Sequence, residues 1–215
     1  MTEPTLYPES GFRRLRIDLA YDGTNFSGWG VQPDRRTVQE VVETALSTVA
    51  QSPAQTIVAG RTDAGVHATG QVIHVDLQES LELQDLVYKL NRILDEDVRI
   101  NAIEIAPTAF HARFSALRRY YEYRILDENK VIQPLARFNT EPWYRPLDVD
   151  LMNRASTLLL GTHNYAAFCK YREGATTIRT LETYQWRRDG EGVLVADVVA
   201  DAFCYSMVRN LVGAI

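Results

Sequence analysis

The first patterned stretch, FRRLRIDLAY (12–21), places apolar residues on alternate positions over most of its length. A period of two is the signature of a strand with one face turned to a core. The pattern then changes. From Thr37 onward Val38, Val41, Val42, Ala45, Leu46 and Val49 recur at three and four residues, which predicts a helix. Thr37 and Glu40 have the spacing of a capping box at its start. QTIVA (55–59) and GQVIHVDLQ (70–78) read as strands on either side of a loop. Leu83, Leu86, Val87, Leu90, Ile93 and Leu94 make a second helical stripe, and DVRINAIEIA (97–106) reads as a closing strand. The order β-α-β-β-α-β is that of a split βαβ, or ferredoxin-like, unit.

The second half repeats the pattern less cleanly. RRYYEYRIL (118–126) reads as a strand, followed by a looser stretch with Pro134, Pro142 and Pro146. DVDLMNRASTLLLG (148–161) predicts a helix capped by Asp148 or Asp150 and stopped by Gly161. RTLETYQWRR and GVLVADVV flank DGEG (189–192), a hairpin signal, and AFCYSMVRNLVGAI (202–215) reads as a helix. This is β-α-β-β-α with no final strand. The prediction is therefore an α+β protein of two ferredoxin-like halves, 12–107 and 108–215, with a boundary near Pro107. A vacant strand slot leaves an open sheet edge, so the sequence is expected to be one strand shorter than the natural protein. An intact mass of 24.4 kDa for the native protein would overturn that expectation.

Composition adds little until its distribution is considered. A hydrophobic content of 46% and charged content of 24% suit a soluble globular chain. The N-terminus has no apolar leader and no apolar run is long enough for a membrane span, so a cytoplasmic protein is expected. Cys169 and Cys204 lie far apart with no CxxC, which predicts buried free thiols and no zinc site. Net charge is −5, but residues 76–97 hold seven acids against two bases and account for all of it. Residues 111–124 instead carry Arg113, Arg118, Arg119 and Arg124 against Glu122. Of 23 basic residues 20 are arginine, the cation suited to bidentate phosphate contact and to stacking. A GC-rich genome gives the same enrichment, so the count alone does not decide for nucleic acid.

The candidate chemistry centres on GRTDAGVHATGQ (60–71). Asp63 stands between Gly60 and Gly65 with Arg61 two residues away. The plain reading is a turn. The functional one is a carboxylate kept ionised by a nearby cation, in a loop that a planar ligand can approach. Asp63, His67 and His74 fit no common zinc spacing, and no metal is expected. Tyr121 and Tyr123 share one face of their strand, with Tyr120 and Glu122 on the other. They are either cross-strand packing or, with arginines around them, a stacking platform for a base. Arg209 lies among Phe203, Met207, Val208, Leu211 and Val212, and needs an acid partner if it points inward.

Taken in order, LAYDGTNFSGW (19–29), TVQEVVETAL (37–46), GRTDAGVHATGQV (60–72), FHARFSA (110–116), the Tyr121–Tyr123 triplet and MVRNLVGA (207–214) closely resemble the TruA family of tRNA pseudouridine synthases. The resemblance runs from about residue 14 to the end. It implies a pseudouridine synthase fold, two ferredoxin-like halves joined through a largely antiparallel sheet with a central RNA-binding cleft. It implies isomerisation of uridine to pseudouridine in the anticodon arm of tRNA, at U38, U39 and U40, by a homodimer that uses no cofactor and no metal. By motif, Asp63 matches the essential carboxylate and Arg61 an arginine that helps displace the target base. Tyr121 matches a tyrosine that stacks on that base and is a candidate for removing its C5 proton. Arg209 matches the basic partner of the carboxylate. Arg113, Arg118 and Arg119 are RNA-binding candidates. Gly30, Asn164 and Ser206 depart from the family's more usual glutamine, aspartate and histidine, which puts local RNA contacts in question. The rivals are a non-catalytic RNA-binding module of the same fold and a small-molecule enzyme using the glycine loop for phosphates. The loop's lack of a P-loop or GxGxxG pattern counts against the latter.

Overall fold

The structure, a computed structural model, describes residues 7–215 and divides into two units, 1–116 and 117–215. Residues 1–6, part of the N-terminus expected to lack an apolar leader, lie outside the described part. The strands hydrogen-bond as two sheets, one in each unit, where the resemblance implies a single joined sheet. On its outer side β5 (Arg119–Leu126) is taken up at Ile125 and Leu126 by the parallel strand β6 (Glu141–Pro142).

The first unit runs β1 (Phe12–Tyr21), α1 (Val38–Ala50), β2 (Thr56–Val58), β3 (Ala68–Gln78), α2 (Leu86–Ile93) and β4 (Val98–Ile105). Its sheet is antiparallel throughout, in the order β2-β3-β1-β4. Each βαβ crossover therefore skips one strand, as in a split βαβ unit. Leu15, Ile17, Leu19 and Tyr21 of β1 join Ile73, Val75 and Leu77 of β3 in a core with Val42, Leu46, Leu86 and Leu90 from the helices. Burying each large aliphatic side chain stabilises the fold by roughly 1.5–3 kcal/mol before chain entropy is counted.

The other face of this sheet is not bare. Arg14 and Asp76 are direct cross-strand partners and make a bidentate ion pair, both bonds 2.8 Å. The Arg14 guanidinium, 1% exposed, also donates to the carbonyls of Thr108 and Phe110. His74, buried on the same face, accepts the Ala112 amide at Nδ1, 3.0 Å away. Burial, with Arg14 and His111 adding to it against Asp76, holds the His74 imidazole down at about 4. These contacts tie residues 108–112 to the first unit. The boundary consequently falls at 116/117, not at Pro107.

The capping box is absent. Thr37 is fully buried and its hydroxyl has no partner. The first two helical amides, Val38 and Gln39, donate instead to the carbonyls of Gly28 and Trp29 at 3.2 and 3.0 Å. The backbone of the preceding loop does the work of the cap. Helix α2 is shorter than its stripe because Asp85 sits in the left-handed region at φ 60°, and Leu81 and Leu83 reach the core from a loop.

The second unit contains β5 and β6, then α3 (Val149–Thr157), β7 (Gly161–Asn164), β8 (Ile178–Arg188), β9 (Leu194–Ala200) and α4 (Met207–Gly213). Its sheet order is β6-β5-β9-β8-β7. The α3 cap is Asp148, which accepts the amides of Asp150 and Leu151. The β8–β9 turn is closed by the Asp189 carboxylate accepting from Glu191 and Val193, with Gly192 at φ 82°. The core gathers Met152, Tyr184, Trp186, Leu194, Val198, Met207 and Leu211. The final helix spans seven residues, since Ser206 at φ 64° interrupts the predicted 202–215 run.

The cysteines are a correction. Cys169 and Cys204 are joined in a disulfide, their Cα atoms 5.6 Å apart, and are not free thiols. The loop after β7 and the segment before α4 meet there. Lys170 donates its amide to the Tyr205 carbonyl and Asn210 its side-chain amide to the Phe168 carbonyl. Sequence spacing alone carries no sign of that meeting. Among the described residues, no helix is long and apolar enough to cross a membrane.

Candidate active site

The Asp63 loop leaves the end of β2 and returns as β3. One further rung, from the Ala59 amide to the Val72 carbonyl, closes its base. Asp63 to Val66 form a turn in which the Val66 amide donates to the Asp63 carbonyl and Gly65 has φ 76°. A positive φ at the third position is where such a turn requires glycine. The plain reading of TDAG as a turn is thus correct for the backbone.

What holds the turn is the segment following β1. Trp29 donates its amide to the Thr62 carbonyl at 3.0 Å, and Gly65 donates to the Phe26 carbonyl at 3.2 Å. Gly28, at φ 96°, lies so close that a Cβ there would stand 2.9 Å from the Thr62 carbonyl oxygen and 3.2 Å from Asp63. A Cβ on Gly23 would stand 2.1 Å from the Val66 carbonyl oxygen. Only glycine allows backbone to approach backbone this closely. The glycines of DGTNFSGWG thus form a bed for the Asp63 loop.

A polar chain completes the support. Register shifts in the β1 pairings lie near its end, a place where strands re-aim side chains. Buried Tyr21 there shares a 2.8 Å hydrogen bond with the Thr62 hydroxyl. Gln71 donates to the Tyr21 hydroxyl and to the Gly60 carbonyl. Burial raises the Tyr21 phenol, against its bonds to Thr62 and Gln71, so the hydroxyl stays protonated. On the far side of the loop His67 Nδ1 accepts the Gly23 amide at 3.2 Å and lies 3.0 Å from the Asp22 carboxylate. The Thr24 hydroxyl, with its amide and His67 behind it, holds the Asp22 carboxyl below the usual carboxylate range.

Asp63 is half-buried and Arg61 is exposed on the same loop. The Arg61 guanidinium runs alongside Gly30, whose ideal Cβ would be 3.9 Å from its Cζ. The absence of a side chain at Gly30 therefore bears on the space beside Arg61. Arg113 also belongs to this unit, exposed, its guanidinium 5.5 Å from the Phe114 ring centre.

The remaining candidates belong to the second unit. Tyr121, half-buried on β5, meets Phe203 edge-on with ring centres 5.1 Å apart. Tyr120 and Glu122 face solvent. Arg209 is exposed on α4. Burial, then Glu141, raises the Tyr123 phenol, and Arg209 opposes them. Arg118 pairs with Glu182, and Arg119 donates to the Asp201 carbonyl. The Arg118–Glu182 pair is solvent-exposed, and such pairs contribute little to stability.

Sequence reasoning singled out the loop but missed its support: Tyr21, Gln71, Asp22, and the glycines at 23 and 28. A signal was present. Tyr21 continues the inward register of Leu15, Ile17 and Leu19, so a hydroxyl at that depth needs a partner.

A family model described as tRNA pseudouridine synthase matches residues 19–115 and 155–215. The chain is 57% identical over 206 residues to "tRNA pseudouridine synthase A" of Frankia casuarinae, covering 95% of this chain and 75% of that protein. Proteins of the same name from Streptomyces griseus and Cutibacterium acnes are 53% and 52% identical. They align with 96% and 94% of this chain, and with 75% and 74% of their own lengths.

Proposed function

Since the chain belongs to the tRNA pseudouridine synthase family, a family of isomerases, we propose that it converts uridine to pseudouridine in the anticodon arm of tRNA, at U38, U39 and U40, with the Asp63 carboxylate as the essential group. The observation that carries this reading is the Asp63 loop. Three backbone hydrogen bonds and a buried polar chain fix it, yet Asp63 itself is left half-exposed. Such support is what a group needs if it is to meet a reacting atom in one orientation.

The reaction breaks the C1′–N1 bond, turns the uracil, joins C1′ to C5, releases the C5 proton to water and leaves N1 carrying a proton taken up in its place. Asp63 acts either as nucleophile or as a base on the sugar, and both routes need it ionised. The target uridine must leave its stack to be reached. Arg61, exposed beside Gly30, is the group assigned to fill the vacancy. Tyr121 is assigned to stack on the freed base and to assist loss of the C5 proton, and Arg209 to support the carboxylate. Arg113, Arg118 and Arg119 are assigned to phosphates. Two ferredoxin-like halves, a homodimeric state and a cytoplasmic location complete the reading, without cofactor or metal.

The test is tritium release from an unmodified tRNA transcript labelled at uridine C5. The unsubstituted chain should release label, and Asp63→Ala and Asp63→Asn should not, with tRNA affinity retained. Binding without release by the unsubstituted chain would leave only the RNA-binding module. Release by Asp63→Ala would remove Asp63 from its role.

A further inference from the structure

We propose that Phe114 is a stacking platform for an unpaired nucleobase of the RNA, presented by a turn anchored in the first unit. The inference rests on the tRNA-modifying function proposed above, and it adds a binding site outside the Asp63 loop.

The anchor comes first. Arg14, buried and held by Asp76, grips the carbonyls of Thr108 and Phe110, and His74 accepts the Ala112 amide. The chain is thus pinned from residue 108 to residue 112. It then reverses in a closed turn. The Ser115 amide donates to the His111 carbonyl at 2.7 Å, and the His111 amide donates to the Ser115 hydroxyl at 3.0 Å. The Phe114 amide donates to His111 Nδ1.

This turn carries the Phe114 ring into solvent, 71% exposed. Isolated exposed apolar side chains are common and mean little alone. This one is held in place. Its ring stacks on the His111 imidazole with centres 4.4 Å apart and planes 29° from parallel. His111 in turn packs on buried His74, centres 4.9 Å apart. The Arg113 guanidinium lies 5.5 Å from the phenyl centre. A row of flat groups therefore leads from the sheet outward, with a cation beside its last member.

A nucleobase fits that end better than an aliphatic side chain does. Bases stack on aromatic rings whatever their sequence, and a guanidinium beside the ring can take a phosphate or extend the stack. The ordering entropy of the platform is already met by the turn, so little is lost when a base arrives.

The experiment measures affinity for an anticodon-arm transcript with Phe114→Ala, Phe114→Leu and Phe114→Trp. Loss of one stacked base weakens binding roughly 5- to 150-fold. Ala and Leu should both show it, while Trp restores affinity. The salt slope of binding should stay unchanged in all three, because no phosphate contact is removed, whereas Arg113→Ala should reduce it. Emission of the introduced tryptophan should be quenched by a short single-stranded oligonucleotide and not by a duplex of the same sequence. Unaltered affinity in Phe114→Leu, with the unsubstituted chain binding tightly, overturns the platform alone. So does emission that changes with protein concentration in the absence of RNA, which would make the ring a contact between copies of the chain. Failure of the unsubstituted chain to bind the transcript overturns the proposed function and the platform together.

Discussion

Acidification offers a direct probe of the anchor beneath residues 108–116. His74 Nδ1 accepts the Ala112 amide, so the imidazole must be neutral there. A proton on Nδ1 would face that amide's own hydrogen, beside the Arg14 guanidinium and without water to solvate it. Its folded-state value of about 4 lies below the 6.5 of a free histidine. Between those two values the unfolded chain holds the proton and the native one does not. Stability then rises with pH, is complete above about 6.5, and is lost as pH falls toward 4. At 1.36 kcal/mol per unit, the loss is roughly 3 kcal/mol. The residue is 3% exposed, so solvent screening takes little from that figure. The comparison is with His74→Asn, whose Oδ1 can replace Nδ1 as the acceptor but does not titrate. Native-state hydrogen exchange of peptides covering 72–78, corrected for intrinsic rates, gives the free energy at each pH. The unsubstituted chain should lose protection between pH 6.5 and 4.5, and over that window the variant should lose roughly 2 kcal/mol less. His111 is also held down by burial and acts in the same direction, but it is common to both proteins. The Asp22 carboxyl, shifted below its usual range, costs stability only at lower pH. Parallel loss of protection in the two proteins would refute the argument.

Other outcomes follow from the same contacts. Gly28→Ala should cut tritium release at least tenfold, because its Cβ would press on Thr62 and Asp63, whereas Gly30→Ala, with only ordinary contacts to Arg61, should leave release within about twofold. Thr37→Val should be neutral or slightly stabilising in urea unfolding, since it removes a buried hydroxyl that has no partner; a true cap would lose about 1 kcal/mol. Reducing Cys169–Cys204, which spans 35 residues, should destabilise the second unit by about 2–4 kcal/mol, read in dithiothreitol as faster exchange of peptides covering α4 and residues 166–169. Asp76→Asn should cost about 3 kcal/mol or more in thermal unfolding, because it leaves the buried Arg14 charge uncompensated.

The elements with a sustained period were legible in the sequence. The alternation in 12–21 and the stripe beginning at Val38 appear as β1 and α1, and the Asp148 cap and the DGEG turn are where local chemistry put them. What escaped was set by contacts distant in sequence. Thr37 and Glu40 have the spacing of a capping box, but burial of Thr37 beneath the 28–29 backbone overrides it. Leu81 and Leu83 extend a helical stripe yet reach the core from a loop, because Asp85 breaks the helix first. The cysteines meet only because the loop after β7 returns to the start of α4. In the site, the motif residues were visible by type, whereas their supports were not. Gly23, Gly28, Tyr21 and Gln71 act through distances of closest approach, which no one-dimensional pattern encodes.

The grip of Arg14 on residues 108 and 110 also decides how this chain can be divided. A fragment ending after β4, at the proline that marks the boundary in sequence, would keep the ferredoxin-like order complete and still strip one face of the sheet. Arg14 would lose two of its acceptors and His74 the amide that occupies its lone pair. Nine more residues carry that cover with them. For limited proteolysis, segmental labelling or separate expression of the first unit, the seam to use is therefore after Ala116, where a cut leaves the buried charge dressed.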